Sequence, residues 1–158
     1  MKTILLNVVF LLFLLAGCQS ELKEFEFSFT IENISSYKIS LEIDHEKNYC
    51  IQEQNIFFDL QEKRENIKTR TGKLTNDELA EFKTLISRSR LFNMKNSYGF
   101  EQDSNPNDPL SNLIYQISYT VSGRTKYISI RPNETNKYSG NFLILLTCLN
   151  KFISLHRS

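Results

Sequence analysis

The pair Ser122-Gly123, set between two runs that alternate apolar and polar, constrains this chain most. Before it, Leu113, Tyr115, Ile117, Tyr119 and Val121 occupy every second position; after it, Ile128 and Ile130 keep the same beat. A period of two marks a strand with one buried face. A two-residue connection containing glycine joins such strands as a tight hairpin, because its turn positions favour positive φ. The pairing then follows: Ile117 is predicted opposite Ile128 and Tyr115 opposite Ile130, both strands burying the same face. A chain with this segment builds an antiparallel sheet and needs apolar helices or strands to cover it.

The rest of the chain supplies both. Phe25, Phe27, Phe29 and Ile31 alternate with Glu26, Ser28 and Thr30, which predicts a half-buried strand. After a turn over Asn33 to Ser36, Tyr37, Ile39, Leu41 and Ile43 repeat the pattern and predict its hairpin partner. Asp44 to Asn48 reads as a polar turn, residues 49–53 and 56–61 as one bent strand or two short ones, and Ile67 to Leu74 as a polar edge strand. Thr75-Asn76-Asp77-Glu78 has the form of a capping box, so a helix is predicted over 76–89 with Leu79, Phe82, Leu85 and Ile86 on its buried stripe. Asn96 to Asn112 reads as a long polar loop with Pro106 and Pro109, and residues 139–155 as an apolar helix set deep against the sheet. The order strands, helix, hairpin, helix predicts an α+β fold: an antiparallel β-sheet of about five to seven strands with two helices packed on one face. That order resembles small exported domains of unassigned role, with no motif matched residue by residue.

The amino terminus bears on location. Lys2 is followed by an apolar run from Ile4 to Leu15 broken by Asn7, then Leu15-Ala16-Gly17-Cys18. The run is short for a membrane-spanning helix, which needs ~20 apolar residues, and suits the core of a secretory signal. The segment resembles the leader of bacterial lipoproteins, whose Leu-Ala-Gly-Cys pattern is called a lipobox. The resemblance implies cleavage before Cys18, a diacylglyceryl group on its thiol and anchoring in a lipid bilayer. It divides the chain into a leader over 1–17, a lipidated cysteine and tether over 18–23, and one domain over 24–158. It also implies an envelope location, in the cell membrane or outer membrane, facing periplasm or exterior. Gln19 stands where an aspartate would retain the protein in the inner membrane under the enteric sorting rule.

Composition narrows the function classes. The chain has 19 basic and 18 acidic residues, and the leader would take Lys2 with it. A nucleic-acid-binding protein normally shows a basic excess on one face, so no nucleic-acid partner is expected. The glycines are Gly17, Gly72, Gly99, Gly123 and Gly140, too far apart for a GxGxxG turn or a P-loop. GxSxG and HExxH motifs are missing too. His45 and His156 are the two histidines; a His45–Cys50 dyad would lack an orienting third group. Asp103-x-Asn105-x-Asn107 opens like a calcium loop, but Asp108 stands where glycine is needed and Ile114 where the bidentate glutamate belongs. No catalytic residue, cofactor or metal is therefore expected. Cys50 and Cys148 form an even pair in an exported chain and invite a disulfide, with two buried free thiols as the alternative.

Ser122-Gly123-Arg124-Thr125-Lys126-Tyr127 resembles the Ser-Gly…Lys-Tyr stretch of the periplasmic lysozyme-inhibitor lipoproteins, where an exposed loop enters the lysozyme cleft. Here the second Ser-Gly pair and the downstream tryptophan are missing, and the plain hairpin reading stands beside it. The sequence therefore predicts a membrane-anchored, non-enzymatic protein-binding or structural domain, its contacts made by the 96–112 loop and the exposed sheet face. Tyr98, Phe100, Asp103, Asp108 and Arg124 are the candidate partner-binding residues. The alternatives are an inhibitor or immunity lipoprotein acting on a secreted toxin or hydrolase, and a hydrolase with an unfamiliar carboxylate site.

Overall fold

A computed structural model describes residues 25–34, 36–56, 66–100, 112–133 and 136–157. Its sheet has the order β4-β3-β2-β1-β6-β7-β5. The strands are β1 (Glu26–Asn33), β2 (Tyr37–Ile43), β3 (Asn48–Gln54), β4 (Ile67–Lys73), β5 (Ser97–Tyr98), β6 (Leu113–Val121) and β7 (Arg124–Ile130). The helices are α1 (Asn76–Ser89) and α2 (Gly140–His156). Every pairing is antiparallel except that of β5 with β7. This is the α+β architecture expected.

The alternation in each strand decides which face is dry. Phe29 stands opposite Leu41 on one side and Ile117 on the other, and the row continues to Ile51 and Ile128. All five are essentially inaccessible to water. Burying a side chain of this size stabilises by about 1.5–3 kcal/mol relative to leaving it exposed, so this row is the strongest seam in the sheet. Both helices lie on this face. Phe82 of α1 meets Phe27 edge-on at 5.4 Å, Phe152 of α2 meets Tyr49 at 5.2 Å, and the two helices touch through Phe82 and Phe152.

Local chemistry sets the ends of α1. The Thr75 hydroxyl accepts from the Glu78 amide at 3.2 Å, and the Glu78 carboxylate accepts from the Thr75 amide at 2.8 Å. At the other end Arg90 takes a left-handed conformation (φ 53°) and its amide donates to Ser87. Glycine usually fills such a cap. The Ser122-Gly123 turn has φ of 50° and 70° at its two positions, and the register beyond it pairs Ile117 with Ile128 and Tyr115 with Ile130, as the sequence implied.

Two expectations change and a third gains detail. The polar stretch expected as a loop from Asn96 begins with β5, a two-residue strand held by Ser129 N–H to Asn96 O and Arg131 N–H to Tyr98 O, both 2.9 Å. The α2 helix lies against the core as expected, through one stripe (Phe142, Leu145, Leu149 and Ile153), while Leu143, Ile144 and Leu155 on its other sides are 48%, 51% and 65% exposed. Cys50 and Cys148 are both free. Cys50 points to the sheet face away from the helices while Cys148 sits on α2, so the sheet separates them and the disulfide considered from the sequence is not formed. Apart from Ile56, the strand expected over 56–61 lies outside the described residues.

Candidate functional site

Both described helices lie on one face, and among the described residues no element covers the other face of the sheet. The register places Thr71, Cys50, Glu42, Ser28, Ser118 and Tyr127 in one row across it. The next row runs Thr69, Gln52, Ser40, Thr30, Gln116 and Ser129. Most are serine, threonine or glutamine side chains, which carry both donors and acceptors, and the serines and threonines among them lose little rotamer freedom on contact.

Two depressions mark this surface. A depression of about 520 Å³ has Glu26, Glu42 and Asp44 in its lining together with Ser28, Ser118 and Thr120. A second, of about 290 Å³, continues from Glu42 past Ser40 and Thr30 to Gln52. Glu42 stands between the two. Burial pushes the Asp44 carboxyl up, but the side-chain and backbone N–H groups of Asn48, each 2.9 Å away, outweigh it and hold the group below the usual aspartate range. Asp44 is therefore charged, and the depression suits hydrogen-bond donors and cationic groups. Burial, with Glu42 beside it, raises the Cys50 thiol above its ordinary value. Such a thiol stays protonated and is a poor nucleophile.

Tyr127 stands at the β7 end of the first row and is 67% exposed. An amphipathic ring held on a rigid strand is a common anchor for protein contacts. The hairpin already fixed its side of the sheet: Ile128 and Ile130 mark the dry face, so Tyr127 belongs to the wet one.

The residues proposed from sequence do not form one cluster. Tyr98 is half-buried, its ring 5.4 Å from Tyr138 and its hydroxyl accepting from the Lys95 amide. Phe100 is 38% exposed and lies beneath the Arg131 guanidinium at 4.7 Å. Arg124 stacks on Phe92 at 4.7 Å at the opposite end of β7, roughly 20 Å from Tyr98 by the rise of the strand. A central hot spot joining all three is not present. Asp103, Asp108 and the calcium-like stretch up to Ser111 lie outside the described residues, as does Cys18. His45 faces Glu46 at 3.9 Å. In the Ser-Gly…Lys-Tyr stretch, Lys126 donates to Asn96 Oδ1 at 2.6 Å and to the Met94 carbonyl, binding β7 to the segment before β5.

Neither a known family model nor a curated protein sequence matches this chain.

Proposed function

We infer that the protein is a lipid-anchored binding domain of the cell envelope, held by an acylated Cys18 and engaging a protein partner through the open face of its sheet. It works by contact, not catalysis. One observation carries this reading: a sheet face of mostly short polar side chains, with an acidic depression and the exposed Tyr127 beside it, and both described helices on the opposite side. Rigid strands present these groups with little entropy left to lose on binding, which favours recognition. The acidic depression selects a partner surface rich in lysine or arginine.

Capture tests it. The full chain carrying a C-terminal tag is cross-linked in intact cells, and what it retains is identified by mass spectrometry. Wild type is compared with S118R and Y127A, both on the open face and outside the buried core. A partner retained by wild type and lost from both variants is the expected result. A partner retained equally by all three moves the contact off the sheet face. Intact mass of membrane-extracted protein reads the anchor separately: an unmodified Cys18 overturns that half of the reading.

A further inference from the structure

The helix side of the molecule carries a second feature. Where the end of α1 meets the start of α2, a cleft of about 650 Å³ is lined by Arg88, Arg90 and Lys137. They come from three different pieces of chain: the last turn of α1, its left-handed cap, and the segment leading into α2. No Asp or Glu stands among the described lining residues, and none of the three cations is in an ion pair with a described residue. Ser139 and Asn141 add polar groups at the rim. Three cations around one cleft, with no described carboxylate among them, form a receptor for a phosphate-bearing anion.

Beside the cleft are two apolar side chains that the core does not use. Ile144 follows the lining residue Asn141 by three positions, which puts it on the same strip of α2. Leu143 is bonded through its amide to the lining residue Ser139. Each is about half exposed. Basic groups next to protruding aliphatic ones are the pairing found where a helix rests in a bilayer interface.

The path of the chain brings a membrane surface within their reach. Phe25, just ahead of β1, is buried on the helix side of the sheet, with its ring 6.0 Å from Tyr119 and the Lys83 ammonium 5.0 Å above it. The chain thus enters the fold beside α1. Fully extended, the segment from Cys18 to Phe25 reaches at most about 25 Å. Arg88 lies about 7 Å further along α1 than Lys83. A lipid on Cys18 therefore leaves this basic corner within reach of the headgroups.

We propose that the Arg88–Arg90–Lys137 cleft and the Leu143–Ile144 shoulder together form a docking surface for an anionic lipid bilayer, with a headgroup phosphate in the cleft and the two aliphatic side chains in the interface. The proposal rests on the lipid-anchor reading for its geometry. It adds an orientation: with the helix layer on the membrane, the open sheet face is directed away from it, towards a partner.

The chain contains no tryptophan, so I144W supplies a single fluorescent reporter at an exposed position. The full chain is bound to vesicles of phosphatidylcholine alone or mixed with phosphatidylglycerol, each with and without brominated acyl chains. Docking predicts a blue shift and quenching of I144W on the anionic vesicles, while Y127W on the opposite face stays solvent-like. Each basic side chain near an anionic surface favours attachment roughly fivefold, so R88Q/K137Q in the I144W background lowers the ratio of docked to undocked domain on the order of twentyfold. The blue shift then disappears. Arg90 is left in place in that variant because it caps α1. A silent I144W on vesicle-bound protein overturns the proposal, as does quenching that ignores both phosphatidylglycerol and R88Q/K137Q. Intact mass keeps the two readings apart. An unacylated chain whose I144W still responds to anionic vesicles removes the anchor and keeps the docking surface. An acylated chain with a silent I144W does the reverse.

Discussion

Single side chains decide the start of α1, and Glu78 shows how. Its carboxylate takes two hydrogen bonds from Thr75, one from the amide and one from the hydroxyl, both 2.8 Å. The amide bond is the larger cause and the hydroxyl the next in holding Glu78 below the usual glutamate range, with slight burial working the other way and His156 adding a little. A carboxylate whose folded pKa is lowered stabilises fully above its unfolded pKa, and that contribution is lost as pH falls through the folded value. Replacing Glu78 by glutamine keeps an acceptor and removes the charge at the positive end of the helix. Near neutral pH, E78Q is expected to be less stable than wild type by about 0.5 kcal/mol, a modest figure because the group faces solvent. The gap should close as pH drops below the ordinary glutamate range. Urea unfolding of both proteins at neutral and acidic pH measures it, and a gap that ignores pH contradicts the assignment.

Elements whose geometry is fixed by neighbouring residues were legible in the sequence; those fixed from across the fold were not. The capping box set the first residue of α1, and Ser122-Gly123 set the register of β6 with β7. The β5 strand left no trace, because two residues have no period and its bonds go to Ser129 and Arg131, about thirty residues away. In α2, an apolar composition predicted burial without saying which stripe, and Leu143, Ile144 and Leu155 proved to face outwards. The candidate surface was half legible. Alternation marks Ser28, Ser40 and Ser118 as wet, but only the strand order brings them into one row. The hairpin allows a direct test of local control. Both turn positions have positive φ, and serine at the first bears a cost there that asparagine bears less. S122N is therefore expected to raise stability by about 0.5 kcal/mol. Thermal unfolding of the two proteins would reveal it, and a lower midpoint for S122N would show that contacts of the serine side chain outweigh the backbone preference.

The sheet is held together through β1. On one side β1 continues into the meander β2-β3-β4, whose pairings are local in sequence. On the other it pairs with β6, joining Phe29 to Ile117 across most of the described chain. That pairing closes the longest loop in the sheet, and its entropic cost is offset only when both strands bury the same apolar face. Phe29 sits where the two halves meet, between Leu41 and Ile117 and stacked 5.9 Å from Tyr115. Phe29→Ala removes ring contacts to both halves and leaves a cavity that rigid strands cannot collapse, so a loss of about 3–5 kcal/mol is expected. If the sheet behaves as one cooperative body, that loss is shared. Amide exchange at Ile51 of β3 and Ile128 of β7 should then accelerate by the same factor, matching the stability lost in urea. Exchange that quickens at one of these strands alone would mean that the two halves open separately. The open face would then be two surfaces that move independently, and the row from Thr71 to Tyr127 could not act as a single rigid contact.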